Sequence, residues 1–230
     1  MVYNIVVGLL RSELESMKFL GLFLIISMLT SNPLLAMLIL IIVYVLVDRS
    51  FIGILPDFLA PLRRKRRCSE LRREIEVNPH NANAQLELGE MYFERGQYAR
   101  AVEHLQNALV KMEDSALGRF YLGASLYYLG QKEQSVKELA AAIQYNPKVA
   151  HGLPYLYLLK HSYAKSLTEN LLRYGSVQAL FEAGKYLKQI GKRQEAERFF
   201  NEVLDVYRLS SSTMRRKYRR MAVYARLFGK

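Results

Sequence analysis

Apolar and polar positions alternate in three different ways along this chain. From Phe19 to Val47 no charged residue interrupts the hydrophobic run, which exceeds the roughly 18–20 apolar residues that mark a membrane-spanning helix. From Ala82 to Val149 the apolar positions take a helical spacing, with Leu88, Tyr92, Leu105 and Leu109 on inward faces. Near the end, Met214, Tyr218, Met221, Ala225 and Phe228 recur at 4, 3, 4, 3, a stripe that predicts an amphipathic helix over 211–230. An all-α chain is expected, with an N-terminal transmembrane segment ahead of a helical array.

The middle region is one phrase written twice. Leu88-Gly89 returns as Leu122-Gly123, Gly96 as Gly130, Leu105 as Leu139 and Ala108 as Ala142, each pair 34 residues apart. Small residues stand where two helices of a hairpin must approach closely: Gly89, Ala101 and Ala108, with Ser135 answering Ala101. Gly96 suits a left-handed end to the first helix, and the Asn146-Pro147 pair ends the second. One such hairpin cannot bury its apolar face alone, so a stack is required.

These residues resemble the tetratricopeptide repeat. Leu88, Gly89, Tyr92, Gly96, Tyr98, Ala101, Leu105 and Ala108 match its phrase in the first copy. The second copy departs with Leu126 for the aromatic and Lys132 for Tyr, and the first has Glu113 where Pro is expected. The resemblance implies an α-solenoid that binds other proteins, and no chemistry. It also implies which first-helix positions face the concave groove: Asn83, Leu86, Glu90, Phe93 and Glu94 in the first copy. In the second copy these are Leu117, Phe120, Ala124, Tyr127 and Tyr128, and in the last they include Phe181, Lys185 and Lys188. Members of the family that hold a chaperone's C-terminal carboxylates carry Lys and Asn where this chain has Leu86 and Glu90, so a different partner is implied.

After Val149 the phase is lost. Residues 150–176 read as a degenerate hairpin of only 27 residues, with Tyr155, Leu158, Leu159, Tyr163 and Leu167 on its apolar face. The phrase resumes at Ala183-Gly184, Leu187, Gly191, Ala196 and Phe200. Upstream, Cys68, Leu71 and Ile75 supply half a repeat as an N-terminal cap. The solenoid is therefore expected over 68–210, closed by a basic capping helix over 211–230.

Ahead of the array, residues 1–18 read as an amphipathic lead-in, with a Ser12-x-x-Glu15 capping box. Residues 19–47 form the transmembrane segment, as one kinked span or as a hairpin broken at Ser31-Asn32-Pro33. Residues 48–67 read as an interfacial and polybasic linker, ending in Arg63, Arg64, Lys65, Arg66 and Arg67. Those cations keep their side of the span in the cytoplasm. A bacterial inner membrane is the expected location, with the repeats inside.

Charge sharpens this picture. The chain of 230 residues has 33 Lys+Arg against 21 Asp+Glu, a formal net charge of +12. Residues 74–150 hold 7 basic against 10 acidic side chains, while 151–230 hold 16 against 6. Arg63 to Arg67, and Arg215, Arg216, Lys217, Arg219 and Arg220 in the last helix, are candidates for anionic lipid. For the last helix a solvated cap is a sufficient reading, and nucleic acid is the weaker alternative. The single cysteine, Cys68, excludes an intramolecular disulfide. Four scattered histidines form no metal spacing, and no phosphate loop or nucleophile motif occurs. Neither catalytic residues, nor a metal, nor a cofactor is expected. The expected function is that of a membrane-anchored adaptor for a protein or peptide partner. The alternatives are an assembly subunit of a membrane complex, or a lipid or nucleic-acid binder acting through the last helix.

Overall fold

The computed structural model describes residues 23, 25–30, 32–47 and 60–229. The lead-in over 1–18 with its capping box, the first part of the apolar run and the linker over 48–59 lie outside the described residues. The chain divides into two compact units, Met1–Arg63 and Arg64–Lys230.

In the first unit, residues 25–30 are helical and a new helix, α1, runs Pro33–Val47. Asn32 starts it, its side-chain oxygen accepting from the Leu34 N–H at 3.0 Å, so the cap expected at Asn32, ahead of Pro33, is present; Ser31 lies outside the described residues. The 15 residues of α1 carry no charge and span about 22 Å. Among the described residues no helix is long and apolar enough to cross a membrane.

The second unit is a run of antiparallel helices, with no strand among the described residues. Helix α2 (Ala60–Val77) precedes the hairpins α3 (Ala82–Glu94) with α4 (Tyr98–Leu109), and α5 (Ala116–Tyr128) with α6 (Lys132–Tyr145). A short 3₁₀ turn at Val149–Gly152 leads into α7 (Leu153–His161) and α8 (Lys165–Tyr174). Then come α9 (Val177–Gln189) with α10 (Arg193–Leu209), and last α11 (Ser212–Phe228). The single helix α2 is thus followed by four helix pairs and then by α11.

Local chemistry sets the helix ends. Asn81, Ser115 and Ser176 cap α3, α5 and α9, each side chain accepting from the backbone N–H three residues on. Gly96 and Gly130 close α3 and α5 with φ of +72° and +77°, the left-handed region open to glycine. Close approach within three of the hairpins, α3–α4, α5–α6 and α9–α10, rests on a glycine at the same place. A Cβ at Gly89 would meet Leu105 Cγ at 2.6 Å, one at Gly123 would meet Leu139 Cγ at 2.8 Å, and one at Gly184 would meet Phe200 Cε1 at 2.9 Å.

The start of the array differs from expectation. The polybasic run was expected in a linker ending at Arg67, yet α2 begins at Ala60 and carries Arg63 to Arg67 as helix. The reason lies in its partners: Arg66 pairs with Glu70 at 2.9 Å, and Arg67 with Glu74 at 3.3 Å and Glu87 at 2.6 Å. Cys68 and Leu71, on the same helix, are buried against Leu88, Tyr92 and Leu105. A second core group holds Phe120, Leu139, Val149 and Tyr157. A third, around Leu159, Leu171, Leu187, Phe199 and Phe200, receives Ala225 from α11.

Candidate functional site

The turn after α3 places Tyr98 at the start of α4, within reach of the far end of α5. There Tyr98 stacks on Tyr128, ring centroids 4.4 Å apart and planes within 9°. Phe93, on the last turn of α3, leans on Tyr98, Tyr121 and Tyr128 at 5.7, 5.4 and 6.1 Å. From the other side, α7 brings Tyr157 edge-on to Tyr127 at 5.2 Å and His161 to Tyr127 at 4.9 Å. The Tyr157 hydroxyl donates to the Tyr128 hydroxyl at 3.3 Å. Helices α3, α4, α5 and α7 thus contribute to one continuous aromatic patch. Edge-to-face and offset contacts of this kind add to plain burial.

Electrostatics keep the patch uncharged. Burial pushes the phenols of Tyr121, Tyr127 and Tyr157 up from their ordinary value, and nearby Glu90 or the neighbouring tyrosines push the same way. His161 is pushed down, by burial first and Lys132 second, so its neutral ring is favoured. Ser135 donates to the Gly123 carbonyl at 2.8 Å, which leaves its oxygen to accept from His161 Nε2 at 3.2 Å. Tyr128 is the open member, with 49% of its surface exposed. The arrangement can hold apolar or aromatic side chains against neutral rings, with hydroxyls to orient them.

The residues expected from the sequence divide into three groups. Phe93, Tyr127 and Tyr128 come together in the patch. Glu90 and Glu94 lie beside it, Glu90 accepting from Tyr121 at 2.6 Å and Glu94 pairing with Arg64 at 3.5 Å; Asn83 is exposed and Leu86 half-buried. The others are engaged elsewhere. Phe120, expected in the groove, is only 2% exposed and belongs to the core, because α7 lays Tyr157 across it at 6.2 Å. Phe181 packs on Phe200 and on Tyr224 of α11. Lys188 gives its ammonium to the Phe228 carbonyl, and Lys185 pairs with Glu182 at 3.3 Å. The last helix therefore covers much of what the final hairpin was expected to offer. Tyr98, Tyr121, Tyr157 and His161 were not anticipated; the Gly-x-Tyr turn was a signal for Tyr98.

Residues 69–116 match the family model of the tetratricopeptide repeat. Over that stretch the chain carries tetratricopeptide repeats. Its fold is similar to the crystal structure of MamA, at 24% identity over 66% of this chain and 95% of that one, with a TM-score of 0.50. It is also similar to YrrB, described as a TPR protein with an unusual peptide-binding site, at 17% identity over 75% and 88% of the two chains, TM-score 0.51. No curated protein matches the chain. A tetratricopeptide fold suggests protein–protein interaction or a scaffold, and proteins of this kind are generally not enzymes. Among the described residues no group of three His, Cys, Asp or Glu side chains could hold a metal ion.

Proposed function

We propose that this chain is a membrane-anchored adaptor, holding a peptide or helix of a protein partner against the patch formed by Phe93, Tyr98, Tyr127 and Tyr128, which the buried Tyr157 backs from below. The observation that carries the reading is that patch: neutral, continuous over three successive hairpins, and open at Tyr128. Rigid aromatic anchors of this type dominate binding energy in protein interfaces, with roughly 2 kcal/mol or more lost on truncating one. YrrB, a neighbour in fold, is described as having a peptide-binding site, which puts peptides among the ligands such a fold accommodates. Anchoring is supported by the uncharged run Phe19–Val47, and a cytoplasmic address for the repeats by the cations that follow it. An adaptor so tethered raises its partner's local concentration at the bilayer.

The test places a photoreactive phenylalanine analogue at Tyr128, or at exposed Gln106 on α4, in the full chain in intact membranes. A discrete adduct is expected from position 128 and not from 106. Tyr98→Ala, checked for an unchanged helical spectrum, should reduce the adduct about ten-fold or more. Equal adducts from both positions, or indifference to Tyr98→Ala, would overturn the groove reading. Extraction of the chain from membranes by alkaline carbonate would overturn the anchor.

A further inference from the structure

The last helix has two faces, and only one has a partner. Ala222 and Ala225 are buried on α10, with Tyr218 and Met221 half-buried beside them. Diametrically opposite, Arg216, Arg220, Val223 and Leu227 follow one another at spacings of 4, 3 and 4, a single line along the helix. All four are exposed, Val223 at 51% and Leu227 at 68%. Arg219, Arg220, Val223, Tyr224, Leu227 and Phe228 line an open depression of about 470 Å³ on this side.

The charges on this face are uncompensated. Helix α11 contains six cations and no acid. Arg215 donates to the Arg208 carbonyl at 2.6 Å, and Lys217 lies 6.0 Å from the Tyr218 ring. Arg216, Arg219, Arg220 and Arg226 have no acidic partner within ion-pair distance among the described residues.

We infer that the outer face of α11 is a docking surface for an anionic lipid bilayer. Two features select that occupant. The cations require a surface dense in negative charge. Val223 and Leu227 in turn require something apolar behind that charge, which the headgroup–acyl boundary supplies and a phosphodiester groove does not. Guanidinium groups pair with lipid phosphates while the apolar end of the same line enters the boundary. The inference is independent of the aromatic patch. It shares the bilayer with the anchoring proposal, but its test reads the position of α11 and not retention of the chain.

The chain contains no tryptophan, so Leu227→Trp gives a single reporter. The full chain with this change is placed in nanodiscs of neutral phosphatidylcholine, or of phosphatidylcholine with phosphatidylglycerol, with brominated acyl chains as quencher. Blue-shifted, quenched emission is expected in the anionic discs and not in the neutral ones, and it should fade as salt is raised. Arg216→Gln, Arg219→Gln and Arg220→Gln should each lower the docked-to-free ratio about five-fold, with thermal unfolding unchanged. Three outcomes would overturn the inference: equal emission in both discs, quenching unaffected by the three substitutions together, or a shift produced by an oligonucleotide or an acidic peptide instead of the anionic discs.

Discussion

Two basic segments flank the repeats, α2 and α11, and in sequence they look alike. Each packs four cations and more into little over one turn. Their surroundings differ completely. In α2, Arg67 presents a two-pronged guanidinium to Glu87, Nε at 2.7 Å and Nη2 at 2.6 Å. Arg66 reaches Glu70, Arg64 reaches Glu94, and Arg72 donates to the Tyr92 hydroxyl at 2.8 Å while lying over its ring. On α10, Asp205 is held by Arg208 of the same helix, and no cation of α11 reaches an acid within ion-pair distance among the described residues. A run of like charges therefore says little about what the charges face. What decides is whether acids stand three or four residues on, or on the next helix. Of the cations expected to meet lipid, Arg64, Arg66 and Arg67 are committed to the protein, whereas Arg216, Arg219 and Arg220 face outward.

The largest expected effect separates the two helices by their apolar sides. Leu71 is fully buried among Cys68, Leu88 and Leu105, so Leu71→Ala should cost about 2–5 kcal/mol by urea unfolding. Met221, half-buried on α11, should cost less than half as much when cut to Ala. Equal losses would mean that α11 is as integral to the core as α2. Charge reversal should divide them again. Arg67→Glu sets a carboxylate among Glu70, Glu74 and Glu87 and should lower the melting midpoint clearly, whereas Arg219→Glu should change stability by no more than about 0.5 kcal/mol. Added salt should weaken the wild-type chain and leave an Arg67→Gln variant less responsive, since the screened pair is then absent.

The sequence made the hairpins legible because their spacing rests on residues that cannot be replaced freely. Gly89, Gly123 and Gly184 each lie where a side chain would strike the facing helix. The site was only half legible. Phe93, Tyr127 and Tyr128 follow from the phase, but Tyr157 and His161 do not, because the phase is lost at the turn before α7. There Ala150, His151 and Gly152 are all left-handed, with φ of 47°, 51° and 79°. Only the glycine has a residue type that favours it, and the other two cost about 1–2 kcal/mol each. The turn is imposed by packing: Ser176 N–H donates to the His151 carbonyl at 2.9 Å, and a Cβ on Gly152 would meet Gly175 Cα at 2.8 Å. No local signal in the chain announces such a contact. The charged face of α2 was hidden for a related reason, since Glu87 and Glu94 lie a helix away.

Acid should expose the remaining difference, and the effect is the smallest of the set. The hydrogen bonds from Arg67 hold the Glu87 carboxyl below its ordinary value, with burial opposing and the Arg67 charge adding to them. A depressed carboxyl contributes stability that is present above the titration of the unfolded group and is lost as pH falls through that of the folded one. Arg67 itself is pushed up, chiefly by the same hydrogen bond, so its side of the pair stays charged throughout. Stability carried by α2 should thus decline on the acid side of the ordinary carboxylate range, and Glu87→Gln should flatten that decline in urea titrations run at a series of pH values. Helix α11 has no carboxylate to protonate. Arg219→Gln should leave the slope as it is; a slope altered by Arg219→Gln and not by Glu87→Gln would reverse the assignment of the two helices.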